Sequence, residues 1–298
     1  MTRSIGIVHT DLDGTAAGLV LKEEAELVKE LHRVDYPASN CDNIIQKAYE
    51  DPEPSCIYVA DFAPTQQGCE LLKKGLAEGK FLKVMVCDHH NTTKELATHY
   101  EWFHHSDNLC GAEVLAHAID SEVCRAMTQW LQVVRVYDLW LLDSPLRKFA
   151  EQVNELHFFL GATIFENIAR QCFLFTNWSF FPLEELPINI IFAAIQMRQQ
   201  DMVQKAIKEI QVCTDTEGTL VAYVTSSANP GKLADAALPA LVEKHGAIYL
   251  AVVKPQFGKV ELRSLGDVDV SLKTKRRGGG GHKKAAGYEY QVTQAPLP

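Results

Sequence analysis

Ile5-Gly6-Ile7-Val8-His9-Thr10-Asp11-Leu12-Asp13-Gly14 runs from an apolar strand pattern straight into a histidine and two aspartates. The pattern recurs twice. Cys56-Ile57-Tyr58-Val59-Ala60 is followed by Asp61, and the run Leu82–Cys87 is followed by Asp88-His89-His90. Short apolar runs alternating with amphipathic segments are the pattern of βα units around a parallel sheet. We therefore expect strands at Ile5–Val8, Cys56–Ala60 and Leu82–Cys87, and helices at Thr15–Leu31, Thr65–Glu78 and Ser121–Leu139. The fold class is α/β, a mainly parallel sheet flanked by helices. In such sheets ligands bind in the crevice beyond the carboxyl ends of the strands, where all three clusters would meet.

Asp138 adds a further acid. It lies one turn after Val134 and two after Trp130, on the apolar side of its expected helix. A buried carboxylate needs a partner; Arg135, one turn back, is the ordinary choice and a metal ion the other. Each remaining piece also has a plain alternative. Asp11-Leu12-Asp13-Gly14 could be a turn with a helix cap, and Asp61, shortly before Pro64, could start a helix. His104-His105 reads as surface or packing. The conjunction favours one site, because the fold must bring these groups together. Carboxylates with imidazoles and no thiolate suit a fairly hard divalent ion, with manganese favoured and magnesium, cobalt or zinc acceptable. Two such ions about 3.5–4 Å apart repel by about 18 kcal/mol at an effective dielectric near 20. Asp61, alone on its loop, is the candidate bridging carboxylate. Asp11, Asp13, Asp61 and Asp138 together balance two divalent charges.

The 298 residues suffice for one large domain or two ordinary ones. With 47% hydrophobic and 22% charged residues the composition is that of a soluble globular protein, and a net charge of −9 argues against a general nucleic-acid binder while leaving room for a local basic stripe. The cysteines at 41, 56, 69, 87, 110, 124, 172 and 213 form no C-x-x-C pair, and we read them as reduced core residues. The N-terminus lacks a signal-peptide pattern, and the apolar region from Leu156 to Met197 is broken by Glu166, Arg170, Asn177 and Glu184-Glu185. No membrane helix is expected, and the expected location is cytoplasmic.

Residues from about Pro145 to Val212 read as a helical connector, and the polar break Thr214-Asp215-Thr216-Glu217-Gly218 opens a new α/β pattern. We place the domains at 1–213 and 214–298. The second, smaller α/β domain is expected to contain Thr219–Thr225, Leu233–Lys244, Ala247–Val253, Lys259–Ser264 and a last strand, Tyr288–Val292. Between them lie Gly278-Gly279-Gly280-Gly281 and His282, flanked by Lys273, Lys275, Arg276, Arg277, Lys283 and Lys284. A glycine run is commonly a linker, but it also lets backbone N–H groups approach a phosphate closely. Six cations around it in an acidic chain favour an anion grip.

His9-x-Asp11-x-Asp13-Gly14, Asp61, Asp88-His89-His90 and Asp138 resemble the successive motifs of the DHH phosphoesterases. Gly279-Gly280-Gly281-His282-Lys283-Lys284-Ala285-Ala286-Gly287 resembles the signature of the DHH-associated C-terminal domain. The resemblance covers nearly the whole chain. It implies that His9, Asp11 and Asp61 hold one metal ion, and that Asp13, Asp61, His89 and Asp138 hold another. It implies that His90 sits near the scissile phosphate while Asp88 orients a histidine, and that Arg263 and His282, with Gly279, Gly280 and Gly281, contact substrate phosphate. His9 and Asp11 are two residues apart; the pyrophosphatases and one nanoRNase branch space them four apart, and RecJ-type exonucleases lack the histidine. The short spacing resembles the nanoRNA and cyclic-nucleotide phosphodiesterase branch.

The leading expectation is a two-metal phosphodiesterase acting on short oligoribonucleotides or linear dinucleotides, its C-terminal domain clamping the far end of the substrate. Alternatives are a RecJ-like exonuclease on single-stranded DNA, hydrolysis of cyclic nucleotides or phosphoadenosine phosphate, and a non-catalytic nucleotide-binding module. The partners expected are a short RNA or nucleotide and no membrane, and a homodimer is compatible with the sequence.

Overall fold

The computed structural model describes residues 3–24, 28–175, 186–265 and 267–290, the side chains of 171–175 and 186–192 excepted. In chain order the first unit runs β1 (Arg3–His9), α1 (Leu12–Glu23), β2 (Glu30–Val34), α2 (Ser39–Glu50), β3 (Ser55–Ala60), α3 (Gln66–Ala77), β4 (Phe81–Asp88), α4 (Lys94–Ala97), β5 (Phe103–His105), α5 (Gly111–Ile119), α6 (Glu122–Ala126), α7 (Thr128–Asp138), α8 (Arg147–Leu160) and α9 (Ala162–Phe175). The second runs α10 (Leu186–Glu209), β6 (Gln211–Thr214), β7 (Leu220–Thr225), α11 (Pro230–His245), β8 (Tyr249–Lys254), β9 (Lys259–Ser264), α12 (Val270–Lys275), β10 (Gly280–Gly281) and β11 (Ala285–Glu289).

The first sheet has the order β2-β1-β3-β4-β5, and every pairing is parallel. The inner residues of β1 are all buried, as a strand covered on both faces requires. Ile5, Ile7, Ile57, Val59 and Val86 pack against Cys41 and Ile45 of α2 and Leu72 of α3. Helices α1 and α5 lie against β1 and β4 and against each other. The order reverses between β1 and β3, so a crevice opens beyond their carboxyl ends.

Several boundaries differ from the expectations. The first helix stops at Glu23 instead of reaching Leu31; residues 25–27 of that expected span lie outside the described residues, and Glu30–Val34 forms an edge strand. The helix expected over Ser121–Leu139 is two helices, with Met127 closing α6 and opening α7. Asp61 does not cap a helix. Thr65 does, its hydroxyl accepting from Gly68 N at 3.3 Å.

Two compact units divide at Glu185/Leu186, earlier than the expected 213/214. The physical reason is α10, whose Val203 and Ala206 are buried with Ala222, Val224, Leu233, Leu238 and Leu250 in the core of the second unit. The second sheet runs β10-β11-β9-β8-β7-β6, mostly antiparallel with β7 and β8 parallel. The end of the strand expected at Tyr288–Val292, Gln291 and Val292, lies outside the described residues, as do Asn177 and Glu184-Glu185. Seven cysteines are free thiols, and the Cys172 side chain lies outside the described ones. Among the described residues no helix is long and apolar enough to cross a membrane.

Candidate metal centre

Asp11 caps α1, its Oδ1 accepting from Gly14 N at 3.0 Å. The capping role and a ligand role coexist, because Oδ2 is left to face His9 Nδ1 at 2.9 Å. Asp13, buried in the first turn of the same helix, is held by another one: Oδ2 accepts from Gly111 N at 2.6 Å and Oδ1 from Ala112 N at 2.9 Å. The N-terminus of α5, with its unpaired N–H groups and positive dipole end, thus fixes this carboxylate.

Asp61 follows β3 with φ of +54°, in the left-handed region that costs a non-glycine residue energy. Its backbone N–H donates to Cys87 O at 2.9 Å, tying the turn to the end of β4. Gly111 presses against it: a Cβ there would stand 2.5 Å from Asp61 Cα. The turn aims Oδ1 at His89 Nε2, 3.0 Å away, and Oδ2 toward His9 Nδ1, 3.7 Å away. His89 Nε2 also lies 3.4 Å from Asp13 Oδ2 and 3.3 Å from Asp138 Oδ2. Asp138 sits at the last position of α7. Arg135, the ordinary partner considered for it, is directed instead to Glu113, 3.6 Å away.

Among the groups of ligand atoms that gather here are His9 with Asp11 and Asp61, Asp13 with His89 and Asp138, and Asp61 with Asp88, His89 and His90. Asp61 offers one oxygen to each of the first two. Asp88 is engaged mainly by the histidines beside it. Its Oδ1 accepts from His90 Nδ1 at 2.7 Å and from His89 N at 2.9 Å, and its Oδ2 from the Thr93 hydroxyl at 2.7 Å. His105, read from sequence as surface or packing, reaches His90 O through Nε2 at 3.1 Å, while His104 is exposed.

Electrostatics explain what this cluster lacks. Burial, together with the charges of Asp11, Asp13 and Asp138, pushes the Asp61 carboxyl well above its ordinary range; burial and Asp13 do the same to Asp138. Asp13 is raised to about 6 by burial and by Asp11. Burial alone would lower His9, but Asp11 and Asp35 lift it to about 10. Buried acids driven upward by one another's charge mark a place where an added positive charge would be stabilised. Buried Oδ2 of Asp61 has no hydrogen-bond partner, and the donors are all carboxylate and imidazole, so the residues fit divalent cations.

In the second unit Arg263 and the 282–285 turn are neighbours. Arg263 pairs across to Ala285, and His282 N donates to Ala285 O at 2.7 Å. Arg263 itself reaches Glu261 at 3.1 Å. The glycines are not a linker. Gly280 and Gly281 pair with Gly287 and Ala286, and Gly281, at φ of +129°, could carry a Cβ only 2.6 Å from Ala285 O. The N–H groups of Gly278 and Gly279 are taken by Lys275 and Thr274 carbonyls, so close strand packing is one physical need the run meets. Of the flanking cations, Lys273 bonds Asp215 at 2.8 Å and Glu217 at 3.0 Å, Arg276 pairs with Glu217, and Lys283 stands 3.6 Å from Asp267. The grip expected from six cations is thereby reduced.

Sequence reading passed over Asp35, the acid that follows β2. Its Oδ1 stands 3.5 Å from His9 Nε2. The available signal was an acid directly before the turn-forming Tyr36-Pro37, at the end of a strand whose first two residues were read as helix and whose remainder was not assigned.

No family model matches the chain. It is 26% identical to the oligoribonuclease NrnB of Bacillus subtilis, over 96% of this chain and 74% of that protein. Among solved structures it resembles a DHH domain named as belonging to a family of ribosomal proteins, with TM-score 0.57 and 15% identity over 97% of this chain and 83% of that one. It also resembles the pGpG-specific phosphodiesterase PggH from Vibrio cholerae, with TM-score 0.53 and 13% identity over 98% and 94% of the two chains. The two structural likenesses concern the fold.

Proposed function

We propose that the chain is a DHH-type phosphoesterase that hydrolyses short phosphodiesters, di- to pentaribonucleotides or linear dinucleotides, with two divalent cations, manganese by preference. The supporting observation is Asp61, whose two oxygens face separate groups of ligand atoms. His9 and Asp11 would complete one cation's set, and Asp13, His89 and Asp138 the other's. Bound there, the ions supply Lewis acidity and a water nucleophile of lowered pKa.

The chain's own residues do the rest. The α5 N-terminus fixes Asp13, and the left-handed turn fixes Asp61, so little reorganisation accompanies binding. Asp88 holds His90 through Nδ1, and we assign His90 to the neighbourhood of the scissile phosphate. We also assign Arg263 and His282 of the second unit to contact with a substrate phosphate. The likeness to an oligoribonuclease supports the choice of short RNA, and a named pGpG phosphodiesterase with the same fold keeps linear dinucleotides beside it.

A substrate panel in manganese tests this: di-, tri- and pentaribonucleotides, phosphoadenosine phosphate, cyclic mono- and dinucleotides, pyrophosphate and long single-stranded DNA. Fastest turnover of the short linear ribonucleotides is expected. Preference for long DNA, or no metal-dependent turnover of any member, would reject the reading.

A further inference from the structure

The His9 imidazole is surrounded by acids and aromatic rings, and among the described residues neither of its ring nitrogens makes a hydrogen bond within the chain. Nδ1 faces the carboxylate cluster, 2.9 Å from Asp11 Oδ2 and 3.7 Å from Asp61 Oδ2, while Nε2 faces Asp35 Oδ1 at 3.5 Å. Phe62 stacks on the ring at 5.7 Å and 25°, and Tyr36 meets it edge-on at 5.7 Å. These two aromatic rings touch each other, 4.9 Å between centroids, so the frame around His9 is continuous.

Asp35 is itself held in place. Its Oδ1 accepts from Tyr36 N at 2.9 Å, and its backbone carbonyl accepts from Asn40 Nδ2 at 2.8 Å. An ionised carboxylate only accepts, so a proton shared between Asp35 and His9 belongs to Nε2. In the neutral ring Nδ1 then keeps its lone pair, and that is the nitrogen turned to Asp11 and Asp61. A histidine that ligates a metal commonly donates its other N–H to a carboxylate, which sets both tautomer and ring orientation.

We propose that Asp35 is a positioning residue of the metal centre: by holding Nε2–H it selects Nδ1 of His9 as the ligating atom on the Asp11 and Asp61 side. The inference rests on the two-cation reading above, and it adds a carboxylate outside the recognised motif positions.

Calorimetric titration of metal-free protein with Mn2+ provides the test, on wild type, Asp35→Ala and Asp35→Asn. Removing such a partner weakens metal binding by about 10- to 100-fold. Asp35→Ala is expected to weaken one binding step on that scale, leave the other unchanged, and leave the melting temperature of the metal-free protein unchanged. Asp35→Asn, whose side-chain oxygen still accepts, should lose less. A second measurement needs no variant. NMR of nitrogen-labelled histidine in the wild type loaded with Mg2+ should show His9 protonated at Nε2 and perturbed by the ion at Nδ1. Ligation through Nε2, or two undiminished Mn2+ steps in Asp35→Ala, overturns the proposal. A wild type that binds no Mn2+ overturns the metal reading beneath it, so the two failures are distinguishable.

Discussion

At the carboxyl ends of β1 and β3, Asp11, Asp13 and Asp61 meet histidines, backbone N–H groups and each other, and among the described residues no lysine or arginine pairs with them. In the second sheet Asp215 is also buried, yet Lys273 stands at 2.8 Å, the Tyr249 hydroxyl donates at 2.9 Å, and Thr219 N and Glu217 N donate as well. Both regions bury acids; in the second a lysine faces them, and in the first the facing side chains are imidazoles. Burial alone would raise Asp215, but Lys273 and its other donors lower it to about 2, whereas Asp61 and Asp138 are driven upward. A buried acid lowered by a lysine is structural, whereas acids driven upward by one another mark a place suited to an added cation.

The largest effect that could break this contrast is at Asp61. Asp61→Ala should cut turnover of bis-p-nitrophenyl phosphate in manganese by more than about a thousandfold, the upper scale for losing a preorganised electrostatic group. Elemental analysis should show less bound metal; retention of both ions would remove the bridging role.

Asp88 lies beside the cluster but is fully partnered, so it should behave differently. Asp88→Asn is expected to lower kcat about 10- to 100-fold, the range for groups that orient others, with metal content kept. Loss of metal would make Asp88 a ligand.

Arg263→Ala probes the second unit's part in binding. Losing a charge-assisted hydrogen bond costs roughly 1.5–3 kcal/mol, or about tenfold or more in KM for a pentaribonucleotide. The small chromogenic ester should be spared. Equal losses on both would assign Arg263 to folding instead.

The smallest effect is a stability difference at Asp215. Its folded pKa of about 2 lies below the ordinary 3.8, so its contribution is complete above the higher value and disappears as pH falls through the lower one. The shift corresponds to roughly 2 kcal/mol. Urea unfolding of wild type should therefore weaken between pH 4 and 2 more steeply than that of Asp215→Asn. Parallel curves would mean the neutralised acid contributes nothing.

Much of this was legible in the sequence because the central strands are short apolar runs cut off by charged residues. β1, β3 and β4 emerge within two residues of their expected limits, and β9 coincides with its expected span. The edge strand β2 was hidden, since Glu30-Leu31-His32-Arg33-Val34 is largely polar and half-buried, and its acid Asp35 was hidden with it. The α5 N–H groups that hold Asp13 come from a backbone about a hundred residues away, and no side-chain pattern announces them. The single expected helix over Ser121–Leu139 had the right apolar spacing after Met127, where Trp130 and Val134 are buried, but not before it, where Val123 is exposed and Cys124 is buried. The glycine run carried two meanings, and only the pairing of β10 with β11 adds the third, that strands lie too close for a side chain.

Asp61 occupies a left-handed backbone turn, and Gly111, fifty residues later, abuts its Cα. Neither position can drift independently. Any larger residue at 111 must push the turn, and moving the turn redirects both carboxylate oxygens at once, spoiling two groups of ligand atoms through a residue that touches no ion. Gly111→Ala should thus resemble an active-site lesion although a methyl group is its whole content, and the tolerance of position 111 is governed by the geometry of position 61.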